Sequence, residues 1–280
     1  MNSEIPREII LLEDKLPIRI FYGHDTHKAY IAPHFHEDIE LIGLRKGTLK
    51  GTDAGKPFTM GPGDIHIFNS NVIHTTLSED LTMEAVILQI SQSFLRTILL
   101  DRDKYLLQDQ LSAQNTDTKK LLTKLFELLT STQNQTTSFS YLTSYARLFE
   151  CIELLFSRFS YEISQKEQTM QSKYYQRMRA LTDYIQDHYY EPITLSDLAE
   201  VVHLNPSYLS RFFKQHFGMT FFEYVTSIRL DHAYRQIRQT DLPIMVICDL
   251  CGFQTYHQFN KEFKKIYGMT PNQLRKKRLA

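Results

Sequence analysis

The sequence predicts an α+β chain: an N-terminal antiparallel β-barrel followed by helices, then an all-α C-terminal domain with two helix-turn-helix modules joined by a long helix. Three observations predict it. Short apolar runs separated by turn signals fill the first hundred residues. From about Asp117 the apolar period becomes helical. The stretch Phe213–Thr220 (FKQHFGMT) then returns as Phe263–Thr270 (FKKIYGMT), each copy closing a basic amphipathic helix on a glycine. A solenoid needs at least about three repeats to bury its faces. Two copies, each preceded by another short helix pattern, instead fit paired DNA-reading modules.

The strands come first. Ile18–Tyr22, Asp64–Phe68 and part of Glu84–Ile90 alternate in polarity, as half-buried strands do. Lys46-Gly47, Asp53–Pro57, Gly61–Asp64 and Asn69–Asn71 supply the turns between them. Evenly spaced short strands suggest a small antiparallel barrel or sandwich. Glu4, Glu8, Glu13 and Asp14 precede them, with no cationic segment leading into an apolar core, so no signal peptide is expected.

Leu121, Leu122, Leu125, Phe126, Leu128 and Leu129 mark the first amphipathic helix. Ser138 opens a second, in which Tyr141, Tyr145, Leu148, Ile152, Leu155 and Phe159 form an a/d seam widened by Leu142, Phe149 and Phe156. Two partners suit that seam: the chain's own barrel, or the same helix of a second subunit. Gln165–Lys173 is polar and reads as a linker. The expected division is a barrel at 1–100, a helical and candidate dimerisation region at 101–163, a linker at 164–173 and a DNA-binding domain at 174–280.

Within the last region a helix over Tyr174–Tyr189 stops at Pro192, and Thr194 with Asp197 forms a capping box for the next. Leu195, Leu198, Ala199 and Val202 are its buried stripe. Asn205 caps the following helix and Pro206 occupies its first position, where a missing N–H costs nothing. That helix buries Leu209, Phe212 and Phe213 and turns Ser207, Ser210, Arg211, Lys214 and Gln215 outward. Tyr224–Arg238 is the long connecting helix. The second module repeats the plan: Ile244, Ile247 and Cys248 line its first helix, Gly252-Phe253 turns, and Thr255 caps its second. Phe259 and Phe263 face inward there, while Tyr256, His257, Asn260, Lys261 and Lys264 face out. Gly268 stops the helix and Pro271 is read as a hard break.

Composition bounds the rest. In 280 residues no apolar run reaches the roughly 18 needed to span a membrane, and three cysteines are too few for a disulfide framework, so a reducing cytoplasm is expected. Cys248 and Cys251 form C-x-x-C without the partners a zinc site needs. The net charge of zero hides an asymmetry: Lys173–Ala280 holds 15 Lys and Arg against 10 Asp and Glu, giving +5, and the remainder carries −5. A basic end suits nucleic acid. No nucleophile motif or phosphate-cradling glycine loop is present, which argues against an enzyme.

From Thr194 to Arg278 the chain resembles the AraC/XylS family of transcription regulators. Ile247-Cys248, Cys251-Gly252-Phe253, Phe259, Phe263-Lys264, Gly268–Pro271 and Leu274-Arg275 carry the likeness, with Cys248 standing where the family usually has alanine. The resemblance implies two modules in successive major grooves of promoter DNA, with base-reading positions at Ser207, Ser210 and Arg211 and at Tyr256, His257, Asn260 and Lys261. Arg211 suits guanine and Asn260 adenine, while Lys214 and Lys264 suit phosphate. A homodimeric activator contacting RNA polymerase is the implied assembly.

His34, His36, Glu40 and Gly47, then Gly63 and His74, resemble the two cupin motifs, with Lys28, Asn69 and Asn71 departing from them. On an unbroken strand His34, His36 and Glu40 share a face. In enzymatic cupins such residues hold Fe, Mn, Ni or Zn. Here they are expected to line an effector pocket, with no resident cofactor, for a small molecule and most plausibly a sugar. Arg19, Tyr22, His24 and Tyr30 would add polar or stacking contacts. A metal-binding cupin enzyme or a metal-sensing regulator using His34, His36, Glu40 and His74 is one alternative; a ligand-independent dimeric regulator, whose barrel only dimerises, is another.

Overall fold

In the computed structural model, which describes residues 16–24, 29–78, 82–134 and 136–279, two antiparallel sheets bury a core between them. The larger runs in the order β1 (Ile18–His24), β8 (Glu84–Ile90), β3 (Ile39–Lys46), β6 (Ile65–Phe68) and β10 (Gln110–Leu111). The smaller runs β2 (Ala29–His34), β7 (His74–Ser78), β4 (Leu49–Asp53) and β5 (Lys56–Met60). The larger sheet takes its edge strand from beyond the expected boundary at residue 100. Strand β3 is buried along Ile39–Leu44 because both of its faces are covered. Ile42 and Leu44 meet Leu49, Phe58 and Met60 of the other sheet, while Ile39 and Leu41 face helices α2 (Thr116–Gln133) and α3 (Tyr141–Phe159). Gly43 lets α2 approach: a Cβ there would come within 2.6 Å of Leu122 Cδ1.

Helix α3 settles where most of its seam goes. Leu148, Ile152, Leu155 and Phe159 are buried with α2 and the barrel, whereas Leu142 and Phe149 stay exposed. Helix α1 (Gln92–Ile98) and the small pair β9 (Tyr105–Leu107) with β11 (Ser160–Glu162) complete this half. The expected linker is not an irregular segment. Residues 165–173 are the first turns of α4 (Gln165–His188), nucleated by a Ser164–Glu167 capping box. A polar stretch without breakers is compatible with a solvent-facing helix, which a hydrophobic-period reading misses.

The C-terminal half holds α5 (Leu195–Val201), α6 (Pro206–Phe217), α7 (Phe221–Gln239), α8 (Ile244–Leu250), α9 (Tyr256–Tyr267) and α10 (Pro271–Leu279). The caps at Thr194, Asn205 and Thr255 form as the sequence indicates. A further box, Thr220 with Glu223, starts α7 three residues earlier than expected. Gly268 ends α9, and Pro271, expected as a hard break, instead opens α10, a helix outside the expected set. The repeat is exact in its stops: Gly218 and Gly268 both adopt φ +69°. Two cores result, one around Leu198, Phe213 and Tyr224 and one around Ile247, Phe259 and Phe263.

The halves are packed together. Phe35 and Ile73 of the barrel enter the core of the first module, and Tyr30 stands edge-on to Tyr267 of the second at 6.3 Å. The Ala54-Gly55 turn of β4–β5, with positive φ at both residues, lies against the end of α6. A Cβ on Gly55 would meet Gly218 N at 2.5 Å and Gln215 O at 2.8 Å. Gly55→Ala is therefore expected to loosen this contact, since neither backbone can yield cheaply and the left-handed turn adds roughly 1 kcal/mol of strain. Small-angle scattering should give a larger radius of gyration, with both halves still unfolding cooperatively. Unchanged scattering would mean that the contact does not hold the halves together.

Candidate metal centre and nucleic-acid interface

The histidine cluster forms where the chain changes sheets. Strand β2 ends at His34, residues 35–38 turn the corner, and β3 begins at Ile39. His34, His36 and Glu40 therefore do not share one strand face, as an unbroken strand would require; they converge from β2, the corner and β3. His74 joins from β7, directly opposite His34 in the ladder. One ligand atom from each of the four residues lies within 4.8 Å of the others, and His36, Glu40 and His74 are buried. Four donors held at about 2.0–2.2 Å from one ion lie at most about 4.4 Å apart, so small side-chain adjustments close the set on a metal.

Hydrogen bonds fix how the rings present themselves. Nδ1 of His34, His36 and His74 lies 2.9, 2.8 and 2.8 Å from the carbonyl oxygens of Ala32, Asp38 and Val72. A carbonyl only accepts, so each Nδ1 carries a proton, and each ring in its neutral form presents an Nε2 lone pair. His74 Nε2 is buried without a partner. His36 Nε2 faces Glu40 Oε2 at 3.2 Å, a lone pair against a carboxylate unless a proton or another cation lies between them. Burial pushes the Glu40 carboxyl up, but where the rings are protonated the hydrogen bond from His36 and the charge of the surrounding imidazoliums outweigh it and bring it down to about 2, the part a bound cation would otherwise play. Burial, with His34 beside it, holds His74 well below the usual histidine range. The donor set is thus three lone pairs and a carboxylate, each ring oriented by a backbone carbonyl. That is the outer-shell arrangement of metal-binding histidines, and the residues fit a divalent transition ion.

Gln89 also belongs to the site, donating from Nε2 to Glu40 Oε2 at 2.7 Å from the facing position on β8. Sequence reasoning passed over it, although a glutamine amid Val86–Ile90 is itself a signal that its position faces something polar. Phe68 stacks on His74 at 4.0 Å and holds the ring. Beside the cluster lies a cavity of about 190 Å³, reached by His34, Glu40 and Gln89 but walled mainly by Phe21, Ile31, Ile42, Leu49 and Ile87. The structure does not bring the other expected pocket residues to it. Arg19 lies over the Phe21 ring, Tyr22 bonds Glu84 near the surface, and Tyr30 is turned to Tyr267. The His24 side chain lies outside the described residues. His66, another buried histidine, is engaged by Asp53 at 2.9 Å and stacked on Phe58, a structural role.

On the opposite half, α6 and α9 present matching rows fifty residues apart. Ser207, Ser210, Arg211 and Lys214 are exposed on α6. On α9, His257, Lys261 and Lys264 are exposed, and Tyr256 and Asn260 are half-buried. Tyr256 accepts a bond from Asn272 Nδ2 at 3.3 Å, which partly engages it. Tyr208, an exposed aromatic beside Ser207, was not among the expected contacts. No helix among the described residues is long and apolar enough to cross a membrane.

Comparison with known proteins agrees with both halves. Residues 16–150 match the family of AraC-like ligand binding domains, and residues 198–277 match a helix-turn-helix domain family. Among curated relatives, the transcriptional activator RhaS of Pectobacterium carotovorum is 35% identical over 100 residues, 36% of each chain. The melibiose operon regulatory protein of Escherichia coli is 33% identical over 93 residues, 33% of this chain and 31% of that one. The matched segment thus spans about a third of the curated relatives' length. ToxT from Vibrio cholerae O395 shares the fold over 93% of this chain and 97% of its own, with a TM-score of 0.51 at 14% identity.

Arg211→Ala is expected to cost about 1–3 kcal/mol of DNA affinity and to relax selection at one base pair, as read by binding to a randomised duplex library. Lys214→Ala should weaken all sequences alike and reduce the salt slope by about one. Uniform loss with Arg211→Ala would place that guanidinium on phosphate instead.

Proposed function

The chain belongs to the AraC family of helix-turn-helix transcriptional regulators, with an AraC-like ligand-binding domain ahead of its DNA-binding modules, and on that premise we propose that its barrel senses a divalent transition metal. The observation that carries the proposal is the convergence of three carbonyl-oriented histidines and Glu40 within 4.8 Å. His34, His36, Glu40 and His74 would hold the ion, which supplies Lewis acidity and cross-links β2, β3 and β7. Gln89 steadies the carboxylate, and the apolar cavity excludes bulk water from one side. Sugar is the weaker effector candidate: a cavity of about 190 Å³ with mainly apolar walls offers few partners for a ring of hydroxyls. The melibiose regulator's name bears on that reading only through a match to 33% of this chain.

The response would reach DNA through β2 and the corner after it: Tyr30 of β2 meets Tyr267 of the second module, and Phe35 of the corner enters the core of the first. Action as a dimer, through the exposed Leu142 and Phe149 side of α3, and activation through RNA polymerase belong to the same reading.

Isothermal titration of metal-stripped protein with Zn²⁺, Ni²⁺ and Mn²⁺ tests it. One equivalent of a transition ion should bind, with affinity at least about a hundredfold lower in His74→Gln, given that even outer-shell changes cost 10–100-fold. Glu40→Gln keeps shape and guards against simple misfolding of a histidine variant. Absence of metal binding, with a sugar stabilising the same protein, would return the site to a hydrogen-bonding pocket.

A further inference from the structure

A second cavity, about 210 Å³, lies between the barrel half and α4, and none of the histidine cluster lines it. Its walls include Ser70, Gln92, Arg96, Arg102, Asp103 and, from α4, Tyr175. Arg102 is only 4% exposed. Its Nη1 donates to Tyr105 O at 2.6 Å and its guanidinium lies 5.0 Å from the Phe156 ring, yet Nε has no partner. The nearby carboxylate does not bond it. Asp103 is engaged by Arg96, whose Nε lies 3.1 Å from both of its oxygens, and by Gln92 Nε2 at 3.3 Å. Gln92 Oε1 and Ser70 Oγ are likewise buried and unpartnered.

A buried guanidinium needs an anion or full hydrogen bonding to offset its lost hydration. Two arginines against one aspartate leave the lining with one net positive charge. The unused groups are two donors, Arg102 Nε and Ser70 Oγ, and one acceptor, Gln92 Oε1. We infer that this cavity is a binding site for a small oxyanion-bearing metabolite, a carboxylate or a phosphate that also carries a hydroxyl. The oxyanion accepts from Arg102 and Ser70, a charge-assisted contact, and the hydroxyl donates to Gln92. The volume falls below the range for drug-sized ligands, which excludes a nucleotide. Since α4 continues into the first module's core through Met178, Leu181 and Ile185, the occupant ties the sensor half to the helix that leads to DNA.

Thermal unfolding of the full chain, titrated with inorganic phosphate and separately with lactate, succinate and citrate at matched ionic strength, tests the site. The expected result is a saturable rise in Tm with phosphate or with one carboxylate, absent with chloride; which of them acts identifies the class. Arg102→Lys should weaken that response about tenfold or more, the loss of a charged hydrogen bond. Because Arg102 is buried, Ser172→Trp is the control: Ser172 is exposed on α4 at the cavity rim, and the indole should abolish the response without lowering the ligand-free Tm. The response should survive His74→Gln, which separates this site from the histidine cluster. No saturable response to any of these anions at millimolar concentration, or a response intact in Ser172→Trp, overturns the proposal and leaves the cavity to ordered water.

Discussion

Phe35 and Ile73 are barrel residues buried in the core of the other half, and the rest of the architecture depends on that burial. Each apolar side chain removed from water contributes roughly 1.5–3 kcal/mol. Phe35 is also flanked by His34 and His36. One short corner of chain thus supplies two rings to the polar cluster and, between them, one ring to the first helix-turn-helix core. The backbone cannot shift for one purpose without being felt at the other, because packed interiors transmit displacement rather than absorb it. Coupling between the proposed ion site and the DNA-binding modules would therefore need no extended pathway.

The cluster has the form it does because of backbone carbonyls. Ala32, Asp38 and Val72 each hold one Nδ1–H, which leaves three lone pairs and a carboxylate converging in a buried space. On the proposed function, a cation would neutralise such a set and tie the β2–β3 corner to β7. The second cavity has the opposite sign. It presents an under-bonded arginine, and its far wall is α4, the segment whose polar sequence resembles a linker. If both proposals hold, a cation site and an anion site flank the same domain junction and would let the protein integrate two signals.

Much of this was legible in the sequence. The repeated FKxxxGMT pattern carried both recognition helices, and the caps at Thr194, Asn205 and Thr255 sit where side-chain chemistry demands them. His34, His36, Glu40 and His74 were legible as a group, but the reason they meet was not. Strand parity placed three of them on one face, whereas a corner at 35–38 brings them together, and only the pairing of β2 with β7 adds His74. Tyr22 and Tyr30 have the chemistry to stack on a ligand ring, but side-chain chemistry says nothing of the direction in which a strand residue points once two sheets and a second domain compete for its ring. Arg102 was invisible: an arginine among Asp101, Asp103 and Lys104 reads as surface until the fold closes over it.

The most direct test of the account is DNA affinity of the full chain, measured at fixed salt with the metal removed and with it restored, in the native protein and in Phe35→Ala. An ion that acts through the shared corner should change affinity about 5–150-fold, the range of a 1–3 kcal/mol coupling. Phe35→Ala should still bind metal but lose most of that change. Equal DNA affinity with and without metal in the native protein would contradict the account, leaving the histidine cluster a structural feature of the barrel rather than its sensor.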